Sequence, residues 1–110
     1  MPVTQLENEQ LIQLLKDNPP GKSDIQLLDV RTPEEYFALG HIPDSRLLPT
    51  YELPGHLATL NPKALTVVIC EHGIRSADAG HYLVHNGFDK VCNLTAGMAE
   101  WNGPREYASN

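Results

Sequence analysis

The chain has 110 residues, 41% of them hydrophobic, and a formal charge of −6. That length and apolar content predict one globular domain over residues 1–110 rather than a disordered chain. The acidic balance argues against a broad surface for nucleic-acid phosphates, and no apolar run reaches the length of a membrane span, so neither nucleic acid nor membrane is expected as a partner.

The opening MPVTQLENEQ has neither the basic nor the apolar region of a secretory leader, which points to the cytoplasm. Pro2 to Gln5 reads as a short edge strand. Leu6, Leu11, Leu14 and Leu15 then recur at helical spacing, with Glu7 to Gln10 as a first turn and Asn18-Pro19-Pro20-Gly21 as a stop. Ile25 to Val30 reads as a buried strand. Thr32 as cap, Pro33 at the first helical position and Glu35 three residues after the cap predict a helix start, and Gly40 ends that short helix. His41-Ile42-Pro43 turns into a strand over Arg46 to Leu48. From Pro49 to Leu60 the pattern is weakest: Leu53, Leu57 and Leu60 suit one helix face, against Pro54 and Gly55.

Thr66 to Cys70, TVVIC, is the clearest strand, being short, apolar and β-branched. A helix is expected over Arg75 to His85, ended by Asn86-Gly87, then a strand over Val91 to Leu94 and a last short helix over Ala96 to Trp101. Strands alternating with helices predict an α/β domain: a central, mostly parallel sheet with helices on both faces.

The two cysteines, Cys70 and Cys92, define no disulfide framework. Their spacing fits no closed zinc pattern, and the five histidines form no compact group with them; no metal or organic cofactor is expected. The segment Cys70-Glu71-His72-Gly73-Ile74-Arg75-Ser76 joins the clearest strand to the best helix. In parallel sheets, active sites lie beyond the carboxyl ends of the strands. Gly73 allows a tight curl, and the first amide N–H groups of the following helix lack partners within it. The result is an anion cradle that suits a cysteine thiolate or the negative outer sulfur of a persulfide, with Arg75 adding positive charge or anchoring the loop.

Taken together, these residues resemble the rhodanese, or sulfurtransferase, family over nearly the whole chain. Asp29-Val30-Arg31, Glu35-Tyr36 and Gly40-His41-Ile42-Pro43 match its first motif region. Residues Cys70 to Ser76 resemble its active-site loop. Gly87-Phe88, Val91, Asn93-Leu94, Gly97-Met98 and Trp101 resemble its closing region. The resemblance implies a three-layer fold around a five-stranded sheet. It implies Cys70 and Arg75 as catalytic residues, with Glu71, His72, Gly73, Ile74 and Ser76 binding substrate. The implied reaction moves sulfane sulfur from thiosulfate or a persulfide, including a protein persulfide, to cyanide or a thiol.

The related dual-specificity phosphatases have five residues between cysteine and arginine, and here there are four, Glu71 to Ile74, a smaller cradle suited to sulfur. Phosphatase or arsenate-reductase activity is thereby disfavoured. A non-catalytic or sulfur-carrier interaction module is the alternative, and the intact nucleophile and loop argue against a dead domain. Glu71 at the loop mouth is expected to repel an anionic donor such as thiosulfate.

More ordinary roles suit other positions. Cys70 on strand pattern alone is equally a core cysteine, and Cys92 reads as buried and inert. His72 either tunes the thiolate or faces solvent. His41 reads as a turn or packing residue, and His56, His81 and His85 as surface groups. Arg31 is expected to pair with Asp29 or Glu35, and Met98 and Trp101 to pack the last helix.

Overall fold

The computed structural model of the chain describes residues 2–19 and 22–107; the predicted stop at Pro20-Gly21 lies outside them. Five strands form one sheet: β1 (Thr4–Leu6), β2 (Gln26–Asp29), β3 (Arg46–Leu47), β4 (Thr66–Ile69) and β5 (Val91–Leu94). Their order is β1-β5-β4-β2-β3 and every pairing is parallel. β4, the most apolar strand, lies at the centre, where both faces must be covered.

Side chains alternate across the sheet and so sort the core into two halves. Val68 and Cys70 face one side, with Leu28, Val30 and Val91. There they meet Ala79 and Leu83 of α3 (Ile74–His85), together with Leu53, Leu57 and Leu60. Val67 and Ile69 face the other side with Leu27, Cys92 and Leu94, and are covered by Leu11 of α1 (Asn8–Asp17) and by Met98 and Trp101. This is the predicted α/β layering, with all four pairings parallel rather than most.

The α2 helix (Pro33–Ala38) begins as its sequence requires. The Thr32 hydroxyl accepts from Glu35 N–H at 3.2 Å, and Thr32 N–H donates to the Glu35 carboxylate at 2.9 Å. Two segments differ from the helices expected. Leu53–Thr59 and Met98–Glu100 are 3₁₀ helices. Pro54 and Gly55 in the first, and only three residues in the second, leave no run long enough for α-helical bonding. Leu53 and Leu60 are nonetheless buried, as the leucine spacing implied.

At the carboxyl end of β2, Arg31 is wholly buried. Its guanidinium donates from Nε and Nη2 to the two carboxylate oxygens of Asp29, at 2.9 and 2.8 Å. Nη2 also reaches Gly40 O at 2.8 Å, and Nη1 reaches Glu71 at 3.0 Å. Burial works against this charge, yet the hydrogen bonds and charges of Asp29 and Glu71 outweigh it and hold the guanidinium above its ordinary range. Glu35, the other partner considered for Arg31, is engaged elsewhere.

Removing one side of a buried ion pair leaves the other charge uncompensated. Arg31→Ala is therefore expected to lower the unfolding free energy by about 3–5 kcal/mol, measured by urea denaturation.

Candidate functional site

Cys70 is the first residue after β4, on the α3 side of the sheet, and only 1% exposed. From its sulfur the chain turns back through Glu71, His72 and Gly73 into α3. Gly73 makes the turn with φ of +84°, the left-handed region that glycine occupies without a steric penalty. The curl brings two backbone donors onto the sulfur: Gly73 N–H at 3.1 Å and Ser76 N–H at 3.3 Å. The Ser76 hydroxyl oxygen lies 3.1 Å from the same sulfur. Ser76 N–H belongs to the first turn of α3, where amides have no intrahelical acceptor and the helix dipole is positive. Negative charge on the sulfur is stabilised by such donors.

The loop is clamped from outside by the turn after β5. Met98 N–H donates to Cys70 O at 2.8 Å, and Ala99 N–H to Glu71 O at 2.9 Å. Two glycines let these backbones approach. A methyl group on Gly73 would lie 1.9 Å from Thr95 O, and one on Gly97 would lie 2.3 Å from Glu71 O. No side chain fits in either place.

The predicted site residues take different positions around this loop. Cys70, Gly73 and Ser76 converge at the sulfur. His72 and Ile74 point outward, Ile74 being 73% exposed. Arg75 forms a two-pronged ion pair with Glu35 of α2, both contacts at 2.8 Å. Its charge is strengthened chiefly by that bond, against partial burial, with Glu35 and Cys70 adding favourable electrostatics. Beside Arg75, between α3 and the first 3₁₀ helix, lies a depression of about 320 Å³ bordered by Thr50, Pro54 and Tyr82. Among the described residues, no three His, Cys, Asp or Glu side chains gather where they could hold a metal ion.

Glu71, the carboxylate expected to repel an anionic donor, is itself paired. It accepts from Arg31 at 3.0 Å, and its side chain is 19% exposed. Its charge is thus compensated from below. The remaining expectations divide in the same physical way. Cys92 is buried on the opposite face of the sheet from Cys70, and burial pushes its thiol up. His41 is a packing residue: its ring stacks on Tyr36 with centroids 3.7 Å apart, and Nδ1 meets Tyr36 O at 3.0 Å.

Asn93 stands at this site although it is not among the residues the sequence singles out for it. It is buried in β5, pairs in register with Val68, and so faces the Cys70 side of the sheet. Its amide contacts Ser76, Gly73 O and Gln5. A polar amide within the apolar run VCNL was the available signal.

With this geometry in hand, the comparisons with known proteins identify the family. The sequence model of the Rhodanese-like domain matches residues 7–104, and the chain belongs to that family. A protein named "Sulfurtransferase" from Allochromatium vinosum is 35% identical over 99 residues, covering 90% of this chain and 88% of its own. "Thiosulfate sulfurtransferase GlpE" from Pseudomonas paraeruginosa is 37% identical over 76 residues, covering 69% of this chain and 68% of its own. The crystal structure of a rhodanese-like domain protein from Staphylococcus aureus superposes with a TM-score of 0.84 at 33% identity. It covers 97% of this chain and 100% of its own. No helix of the described residues is long and apolar enough to cross a membrane.

Two outcomes follow from the paired charges. Glu35 is held at about 2 instead of the ordinary 4.5, chiefly by Arg75, against partial burial and with help from Thr32. A carboxylate lowered in the fold contributes stability that is complete above its unfolded value and is lost as the pH falls through its folded value. The native chain is therefore expected to lose more unfolding free energy between about pH 5 and about pH 2 than Glu35→Gln does, measured by urea denaturation at both ends of that window. Glu71→Gln removes a charge that compensates buried Arg31. It is expected to lower the melting temperature, measured by thermal denaturation; an unchanged melting temperature would show that the pair adds no stability.

Proposed function

We propose that this chain is a sulfurtransferase that carries sulfane sulfur as a persulfide on Cys70. The observation that carries this reading is the convergence of two backbone N–H groups on the Cys70 sulfur, within 3.3 Å, at the start of α3. In the first half-reaction the Cys70 thiolate attacks the outer sulfur of thiosulfate or of a persulfide donor. A new S–S bond forms at Cys70, the donor's own S–S bond breaks, and sulfite or a thiolate leaves with the electron pair. In the second, an acceptor such as cyanide or a thiolate attacks the outer sulfur. The Cys70 bond breaks, the electron pair returns to Cys70, and thiocyanate or a new persulfide departs. Two transfers through one covalent intermediate define ping-pong kinetics.

The residues have distinct parts in this cycle. Gly73 and Ser76 N–H donate to the inner sulfur. The next first-turn amides of α3, on Ile74 and Arg75, have no acceptor within the helix, and they are the donors assigned to the negative outer sulfur. Arg75, held by Glu35, adds positive potential beside the sulfur. His72 and the exposed Ile74 border the approach to the loop and meet the donor or acceptor there.

Intact-protein mass after incubation with thiosulfate tests the reading. One sulfur atom is expected to add to the native chain and to be removed by cyanide, with no addition to Cys70→Ser. Equal addition to both chains would place the sulfur elsewhere, and no addition to the native chain would remove thiosulfate as a donor.

A further inference from the structure

Ser76 has one hydroxyl hydrogen, and two groups compete for it. Its oxygen lies 3.1 Å from Cys70 Sγ on one side and in hydrogen-bond contact with Asn93 Oδ1 on the other. A backbone carbonyl decides which way the Asn93 amide faces. Gly73 O can only accept, so the Asn93 atom 3.1 Å from it is Nδ2. Nδ2 also donates to Gln5 Oε1 at 3.0 Å, which in turn accepts the Thr95 hydroxyl at 2.9 Å. Oδ1 therefore faces Ser76 as an acceptor, and the Ser76 hydrogen is committed to it. The hydrogen between Cys70 and Ser76 must then come from the thiol, with S–H donating to Oγ.

An anionic Cys70 has no hydrogen to give. Ser76 must then either turn its hydrogen to the sulfur, leaving Asn93 Oδ1 without a donor, or keep it and set an oxygen lone pair against the anion. Ser76 is 0% and Asn93 2% exposed, so bulk water does not relieve the conflict, and an unmet buried acceptor is costly.

We propose that Asn93 is a positioning residue for Cys70: by holding the Ser76 hydrogen it favours the neutral thiol, and it releases that hydrogen when the sulfur becomes an anion. This rests on Cys70 being the reactive sulfur, as proposed above. In the transfer cycle Cys70 Sγ is neutral while it carries a second sulfur, so the hydroxyl returns to Asn93 on loading and swings to Cys70 on unloading. The same Asn93 side chain fixes Gly73 O, and with it the turn that presents Gly73 N–H to the sulfur.

The charged groups around the loop are held by partners other than Asn93. Arg75 of α3 is paired with Glu35 of α2, Arg31 after β2 is paired with Asp29 and Glu71, and His72 is exposed. From β1 and β5, the neighbouring Gln5, Asn93 and Thr95 carry no charge.

The pH profile of Cys70 alkylation by iodoacetamide tests the proposal. It is read by peptide mass in the native chain, Asn93→Ala, Ser76→Ala and the double variant. Asn93→Ala frees the hydroxyl for the thiolate. The profile is expected to move to lower pH, with a gain of about tenfold in rate on its rising limb, the size of one hydrogen bond to a charge. In the Ser76→Ala background the same change is expected to leave the midpoint where it was. A loosened Gly73 turn would instead weaken a donor to the thiolate and move the profile to higher pH in both backgrounds. That result, an equal shift in both, or no shift overturns the proposal.

Where Asn93→Ala does not fold, the native chain supplies the test. The Raman S–H band that disappears in Cys70→Ser is expected below that of Cys92, and is expected to rise in Ser76→Ala. A Cys70 band already at the free-thiol position overturns the proposal. Neither readout uses a sulfur donor. A native chain that takes up no sulfur would therefore defeat the proposed transfer while leaving this test standing.

Discussion

Everything around the candidate site hangs on a guanidinium that water cannot reach. Arg31 holds three stretches of chain that the sheet alone leaves independent: the end of β2 through Asp29, the turn after α2 through Gly40 O, and the cysteine loop through Glu71. A buried charge is costly to desolvate, and it is tolerated where its donors are met with good geometry. Four such contacts here lie between 2.8 and 3.0 Å. The arrangement works as a geometric constraint more than as a source of cohesion, because a misplaced segment would leave the charge unmet.

On that anchored frame the loop is shaped mainly by backbone. Gly73 turns it, Gly97 lets the following turn close over it, and amides from Met98 and Ala99 hold its first two carbonyls. With those carbonyls taken up outside, the N–H groups of Gly73 and Ser76 turn onto the sulfur. The loop's polarity thus follows from which backbone groups are already satisfied. The side chains at its rim, His72 and Ile74, are free to vary in what they meet without disturbing the sulfur.

Much of this was legible in the sequence because it is local. The Thr32-Pro33-Glu35 start of α2, the short β-branched apolar run TVVIC that sets Cys70 at a strand end, and the glycine before α3 each act within a few residues. The pairings of Arg31 with Glu71 and of Arg75 with Glu35 join residues 40 positions apart, and nothing in either neighbourhood selects the partner. Glu71 therefore looked like a loose charge at the mouth, and Glu35 like a helix-start residue or a partner for Arg31 rather than for Arg75. Asn93 was hidden for another reason. Its role depends on the β4–β5 register, which puts it opposite Val68 rather than Val67 and so on the face of Cys70. The Leu53–Thr59 segment was ambiguous because its apolar spacing is helical while Pro54 and Gly55 oppose an α-helix.

The placement of the two thiols has a consequence for oxidative chemistry. Cys92 pairs with Val67, three residues before Cys70, which is about 10 Å along the strand, and it faces the other half of the core. A disulfide needs Cα atoms within about 7 Å and side chains directed at each other. The fold therefore supplies no internal partner for an oxidised Cys70. A sulfenic acid formed there has no cysteine of the fold to resolve it as a disulfide, so disulfide-based recovery from peroxide depends on a thiol from another molecule.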